Sequence, residues 1–486
     1  MNRRMIARLI AYTLIIEVIA MLPALGISLA HQESDSVRGF LLSIGIILAC
    51  CALLLLFRPR SKTFYAGEGF VTTALSWIII SLFGALPLWL SGAVANPVDC
   101  FFEIVSGFTT TGASVLSDVE SLPRGILYWR SFTNWLGGMG VLVFLLAITS
   151  TQKKGEGSSL HLLRAESPGP IVGKLMPKLK QTAVILYAIY LVMSLLELIF
   201  LLAGGMPLFD SFCTVFATAG TGGVCIKNDS MMSYSPYLQT VVGIFMALFG
   251  VNFSIFYLLL TRQFARALFD EEVRAYLAVM AVSVLLITLN ILPLYHTFGE
   301  ALQHSFFQVA SIITTTGYVT ADYGLWPGFS QTILLLLMAI GACAGSTGGG
   351  YKISRLLISF KSVKKEISRM LHPRAVKAVH MNGKTLDNTV TKGVSVYTTV
   401  YCAIILLSFL LISLDNQGIL TNITAVLSCT NNVGPGMDAV GPSGNYSVFS
   451  NFGKIILALD MLLGRLEFFP ILILMMPSTW KRKSLH

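Results

Sequence analysis

Charge is scarce in this chain. Asp, Glu, Lys and Arg make up 12% of 486 residues, against about 25% in soluble domains. A soluble enzyme, a nucleic-acid binder and a disordered scaffold all need more polar surface, and all are excluded. Cysteine is sparse too. The eight cysteines (50, 51, 100, 213, 225, 343, 402 and 429) are scattered, with no CxxC and no histidine at ligand spacing. Neither a disulfide framework nor a metal centre is expected from them. There is no GxxxxGK[ST], and no GxGxxG between a strand and a helix, so no nucleotide or other cofactor site is expected. A membrane enzyme would need a Ser/His/Asp set or an intramembrane metal cluster, and none stands at workable spacing; Asp460 and Glu17 stand alone.

What is present is hydrophobicity. Apolar residues reach 55%, and runs near twenty residues recur, as at 40–57, 69–90, 182–204 and from 331 onward. Each is long enough to cross a hydrocarbon core of about 30 Å as a helix. The chain reads as an all-α polytopic membrane protein. Residues 5–31 follow Met-Asn-Arg-Arg as a secretory signal would. That stretch is too long for a signal core and no small-residue cleavage site follows, so a retained helix is expected.

The net charge of +10 is explained by placement. Of 34 Lys and Arg, 28 fall on six segments of one side: the N-terminus (Arg3, Arg4, Arg8), 58–62, 153–180, 262–274, 352–392 and 481–483. Arg38, Arg124, Arg130 and Lys227 fall on the other, while Lys454 and Arg465 lie inside an apolar stretch. This is the positive-inside pattern, and it puts both termini in the cytoplasm. The basic excess is topology with some contact to anionic lipid, not a nucleic-acid footprint.

Four polar, glycine-bearing stretches interrupt the hydrophobicity: Phe108-Thr-Thr-Thr-Gly112, Ala219-Gly-Thr-Gly222, Ile313-Thr-Thr-Thr-Gly317 and Thr430-Asn-Asn-Val-Gly434. Aligning Gly112, Gly222, Gly317 and Gly434 gives spacings of 110, 95 and 117 residues. Each follows a short apolar stretch (99–109, 210–218, 300–314, 421–429) that cannot span a bilayer and reads as a re-entrant half-helix. The repeating unit is span, half-helix, polar loop, span. The expected division is two N-terminal helices (1–62) and four pore repeats (63–180, 181–270, 271–392, 393–486) around a central pore. Ten full crossings result.

Non-helical backbone at membrane depth must be buried in protein or face water. Four such loops meeting on one axis satisfy this as a ring of carbonyls replacing a cation's hydration shell. Glycine permits the positive φ that turns carbonyls inward, and each half-helix aims its negative end at the axis. The candidate ion ligands are Thr110, Thr111, Gly112, Thr221, Gly222, Thr315, Thr316, Gly317, Asn432, Val433 and Gly434. One TTTG run alone reads as a helix cap; four in the same context read as a cation pore. A coupled transporter of another solute is the rival from another class, since it also uses broken helices. It would more often show two-fold repeats and a buried acid at its site, and these stretches hold no acid.

Taken together, Phe101–Gly112, Asn134-Trp-Leu-Gly-Gly-Met-Gly140, Gly345-Ser-Thr-Gly-Gly-Gly350, Asn432-Val-Gly-Pro-Gly436 and Gly464-Arg-Leu-Glu467 resemble the Trk/Ktr/HKT superfamily of potassium transporters. The resemblance covers essentially the whole chain, and the two extra N-terminal spans resemble the longer Trk subunits more than the shorter Ktr ones. It implies K+ uptake, with Rb+ also accepted, through a bacterial inner-membrane protein. Glycine at each of four filter positions goes with potassium selectivity in that family. A homodimer and a cytoplasmic ring of nucleotide-binding domains of the TrkA kind are implied as partners, the basic segments being the natural docking surface. A KtrB-like, sodium-dependent uptake subunit is the near alternative.

The resemblance also gives roles to two features. Residues 341–350 are too rich in glycine for a helix interior, at about 1 kcal/mol per Gly. A close helix crossing would account for them; the resemblance implies a gating loop beneath the filter, carried by Gly345, Ser346, Thr347, Gly348 and Gly349. Arg465, with Glu467 nearby, fits a structural salt bridge or, by resemblance, a pore-facing cation bonded to the carbonyls of that loop. Lys454 is expected at the outer mouth or against the fourth half-helix, without an assigned role. Asp99, Glu103, Asp118, Glu120, Asp210, Asp229, Glu300, Asp322 and Asp438 outnumber the outer cations and would draw cations to the mouth. Asp99 and Asp210 are expected to cap their half-helices.

Overall fold

Apolar stretches this long leave backbone N–H and C=O groups no partner but one another, and the chain answers with helices. The computed structural model describes residues 2–57, 66–140, 179–374 and 377–480. Among them the only paired strands are His380–Met381 and Lys384–Thr385, a two-residue antiparallel hairpin. Six helices are long and apolar enough to cross a membrane: Arg3–Ala30, Ser34–Leu55, Gly67–Leu90, Ala183–Ala203, Glu271–Leu294 and Asn388–Asp415. Large apolar side chains such as Leu195 and Leu410 stand exposed on them, as lipid-facing positions do. The first two helices pack on each other and against the first repeat.

The four half-helices are Pro97–Phe108, Leu208–Gly220, Phe298–Ile313 and Ile419–Asn431. Asn96 caps the first by accepting from the Val98 N–H at 3.0 Å, and Thr297 caps the third through the Glu300 N–H at 3.2 Å. The capping expected of Asp99 and Asp210 is therefore corrected. Both are the third residue of their helices, in the first turn, where a carboxylate still meets the positive end of the dipole. Asp99 accepts from Lys454 Nζ at 2.7 Å, and Asp210 from the Tyr234 hydroxyl at 3.0 Å. Lys454 thus pairs with the first half-helix, not the fourth.

The second spans of the last three repeats are not unbroken helices. In the second, third and fourth repeats the second span is interrupted. The third stops at Ile340 and resumes at Ile353, and the fourth stops at Arg465 and resumes at Phe469, while that of the first is described only over Arg124–Gly138. The second folds by 91° between Pro236–Phe249 and Phe253–Leu260. These spans approach the half-helix ends closely. A Cβ on Gly137 would run into the Phe108 carbonyl, one on Gly464 into that of Thr430, and one on Gly250 would lie 2.7 Å from Thr314 Cγ2. The spans pass the ends of the half-helices too tightly for side chains.

The basic segments 58–62 and 481–483 and all but the last two residues of 153–180 lie outside the described residues. In the segment 352–392, Lys352 and Arg355 are 2% and 3% exposed, so these two turn inward instead of serving the cytoplasmic face.

Candidate functional site

All four half-helices end the same way, and the ends fix the register. The amide of Thr111 donates to the Ser106 carbonyl at 2.8 Å, and that of Gly222 to Ala217 at 2.8 Å. Those of Thr316 and Val433 reach Ser311 and Ser428 at 2.8 and 2.9 Å. The residue before each is left-handed: Thr110 (φ 55°), Thr221 (54°), Thr315 (59°) and Asn432 (57°). Positive φ in a threonine costs about 1–2 kcal/mol, so the surroundings must impose it. The residue after each is a glycine of positive φ: Gly112, Gly223, Gly317 and Gly434. The glycine expected at 222 is corrected by one residue. Gly222 matches Thr111, Thr316 and Val433, and Gly223 matches the other three glycines. Two adjacent glycines made the register of this repeat ambiguous in sequence.

The four loops close on one another. A Cβ on Gly112 would run into the Gly222 carbonyl oxygen, on Gly223 into that of Thr316, on Gly317 into that of Val433, and on Gly434 it would lie 2.6 Å from that of Thr111. Each glycine touches the oxygen one place earlier in the next loop, and the fourth returns to the first. Only an unbranched ring of four backbones does this. Thr109, Thr110, Thr111, Thr221, Thr315, Thr316, Val433 and Asn432 are fully buried. The Thr110 hydroxyl has no hydrogen-bond partner. The Gly434 carbonyl is already engaged, accepting from Ser428 Oγ and the Tyr446 hydroxyl, both at 2.7 Å. These two bonds fix the orientation of the Gly434 carbonyl, while the Val433 oxygen lies against Gly317 in the ring.

Side chains hold the ring from outside. Glu103, expected in an outer acidic vestibule, is 2% exposed and paired with Arg130. It also accepts from Ser114 Oγ and the Val115 N–H, all at 3.1 Å, fixing the strand after Gly112. Asn432 Nδ2 donates to Thr111 Oγ1 and to the Met461 carbonyl, each at 2.9 Å, tying the fourth loop to the first. Removing one member of the Glu103–Arg130 pair, as in Arg130→Leu, leaves a buried uncompensated charge. Such a change is expected to destabilise by about 3–5 kcal/mol, read as a lowered unfolding temperature in detergent.

Beneath the ring lies the glycine-rich loop between Ile340 and Ile353. A Cβ on Gly348 would come within 2.8 Å of the Thr314 carbonyl, and one on Gly349 would meet that of Asn431, the ends of two half-helices. The Gly349 N–H donates to Thr315 Oγ1 at 2.6 Å, and Ser346 Oγ to the Cys343 carbonyl at 2.6 Å. Arg465 donates to the Thr347 carbonyl at 2.9 Å, and to Gly138 at 2.8 Å and Gly137. Glu467 is not its partner in a simple pair: it takes Arg355 Nη2 at 2.5 Å. Lys352, unnoticed in the sequence because it opens a basic run, donates to the Gly348 carbonyl. Two cations therefore hold adjacent carbonyls under the ring. The cavity above it is lined by Gly112, Ser114, Gly223, Asn228, Gly317 and Gly434. A closed carbonyl ring, half-helix ends aimed at it and cations below make an arrangement suited to bind and block a small cation.

The family model described as a cation transport protein, TrkH, matches residues 40–482. The chain belongs to the TrkH family. It is 33% identical over 492 residues to the Trk system potassium uptake protein TrkH of Halomonas elongata, covering 99% of this chain and 100% of that one. It is 34% identical over 422 residues to the TrkH of Escherichia coli, covering 85% and 86%. The crystal structure of the potassium transporter TrkH from Vibrio parahaemolyticus matches with a TM-score of 0.88 at 29% identity, covering 99% and 100%. TrkH-family membership makes this chain a transporter and not an enzyme, and the fold is that of its solved relative.

Proposed function

We propose that the chain carries K+ inward, with Rb+ as a substitute, through the ring of four loops. The observation that supports this most is the cyclic closure in which each glycine abuts the next loop's carbonyl. The ion would be solvated by the oxygens of Thr111, Gly112, Gly222, Gly223, Thr316, Gly317, Val433 and Gly434, with the hydroxyls of Thr110, Thr221 and Thr315 and the amide of Asn432 shaping the inner edge. Neutral carbonyls replace a hydration shell without binding the ion too tightly to leave. The only small species required is the transported cation. Relatives named as potassium uptake proteins support the choice of K+. The test is growth of a bacterial strain lacking its own K+ uptake. Expression of this chain together with a TrkA-type regulator should restore growth at low K+, and failure with both at full expression would reject the reading.

Passage is gated, in this reading, by residues 345–349 with Arg465, whose carbonyl bonds would have to break before an ion can pass. The protein sits in a bacterial inner membrane with both termini cytoplasmic, built as two leading helices (1–62) and four repeats divided at 180, 270 and 392. It works as a homodimer under a cytoplasmic nucleotide-binding ring of the TrkA kind. Lys364, Lys365 and Arg369 lie on Ile353–Leu371, which leads away from the loop. Charge reversal at these three is expected to weaken association with such a regulator at least tenfold; unchanged co-purification would reject that docking surface.

A further inference from the structure

The two cations under the ring hold the middle of the loop, and one buried carboxylate holds both of its arms. Glu272 Oε1 accepts from the Ala344 N–H at 2.6 Å and from the Ser354 N–H at 3.1 Å. The first donor lies in the descending arm, and the second is in the first turn of Ile353–Leu371, where a helix has free N–H groups. Glu272 is 6% exposed. Its neighbours grip something else. Asp270 Oδ2 accepts from Asn382 Nδ2 at 2.7 Å. The Glu271 N–H donates to Asn382 Oδ1 at 2.8 Å, and Glu271 Oε1 accepts from the Asn382 N–H at 2.9 Å. Glu271 also pairs with Lys361, which donates to the His380 carbonyl at 2.8 Å. Asn382 sits at the turn of the His380–Thr385 hairpin, with a φ of 51°. Three consecutive acids therefore join the intramembrane loop to a hairpin on the basic face.

We propose that Glu272 is the positioning residue of the loop: it latches both arms in the obstructing conformation, and the adjacent Asp270–Glu271–Asn382 contacts connect that latch to the hairpin, so that pulling the hairpin releases the loop. A rigid helix start carries the connection, because the two grips are one residue apart on Glu271–Ile291. The inference rests on the reading of residues 341–350 as a gate.

The test uses the full chain in proteoliposomes, with two readouts. One is Rb+ flux, and the other is the rate at which a Ser346→Cys variant is modified by a membrane-impermeant thiol reagent applied from the cytoplasmic side, against the unsubstituted chain as background. Glu272→Ala removes both bonds and is expected to raise labelling and flux about tenfold. Glu272→Gln keeps an acceptor oxygen and should restore values within about threefold of wild type, which a change in bulk folding would not do. Asn382→Ala should move both readouts in the same direction by a smaller factor. Should Glu272→Ala purify poorly, Glu272→Asp, one methylene too short to reach both amides, carries the same expectation. Unchanged labelling in the Ala and Asp variants would overturn the latch, and unchanged labelling in Asn382→Ala alone would overturn its link to the hairpin. Absence of cation flux in every protein, wild type included, would defeat the transport reading while the labelling rates still decided the latch.

Discussion

Gly223→Ala is expected to abolish discrimination between K+ and Na+, while Gly222→Ala next to it keeps most of it. The two glycines differ in what a methyl group would strike. At 223 it meets the backbone carbonyl of Thr316, an oxygen of the ring that cannot turn aside without dragging its loop. Its φ of 57° adds about 1–2 kcal/mol of strain for an L side chain. At 222 the main obstacle is Asn134 Oδ1, a side-chain atom and not a ring carbonyl, so the methyl displaces a buried side chain whose amide donates to the Arg130 carbonyl at 3.2 Å. Gly112→Ser should act like Gly223→Ala, because its Cβ would strike the Gly222 carbonyl. Paired measurements of Rb+ and Na+ flux on the three variants check the register. Loss of selectivity in Gly222→Ala with retention in Gly223→Ala would reverse it.

Arg465→Ala is expected to raise cation flux by tenfold or more without altering selectivity. The guanidinium donates to Thr347 of the loop on one side and to Gly137 and Gly138 of the first repeat on the other, so it bridges the loop proposed as the gate to the first repeat. Hydrogen bonds to a charged group contribute about 1.5–3 kcal/mol each, and losing one to the loop shifts its equilibrium by roughly a factor of ten or more. The positive charge under the ring would vanish with them, lowering the electrostatic barrier to a cation. Arg465→Lys keeps the charge but cannot fork to both sides; an intermediate flux would separate the barrier from the bridge. A flux unchanged in Arg465→Ala would remove this residue from the gate.

Much of this architecture was legible before any coordinate. Long apolar runs predicted the membrane helices, and the four polar interruptions predicted half-helices whose observed limits differ by a few residues. The resemblance set Arg465 against the carbonyls of Gly345–Gly349, and Arg465 donates to that of Thr347. What escaped the sequence did so for physical reasons. Composition shows that Gly137, Gly250 and Gly464 are small, but not which atoms lie opposite, so the breaks in the second and fourth repeats' spans were not foreseen while that at 341–350 was. Lys352 and Arg355 open a run of cytoplasmic-looking charge, and only tertiary packing turns them inward. Glu103 looked like a vestibule acid because its partner Arg130 is 27 residues away. Glu272 follows two other acids at a helix start, an ordinary first-turn pattern that conceals a contact 72 residues distant.

The most direct test of the central claim is cation-specific flux in proteoliposomes holding the purified full chain. Equal gradients of K+, Rb+ and Na+ would be applied to wild type and to Gly112→Ser. The four-loop ring as conducting site predicts K+ and Rb+ flux well above Na+ in wild type, with the preference lost in the variant. Equal passage of all three cations through wild type, or a preference that survives Gly112→Ser intact, would contradict it.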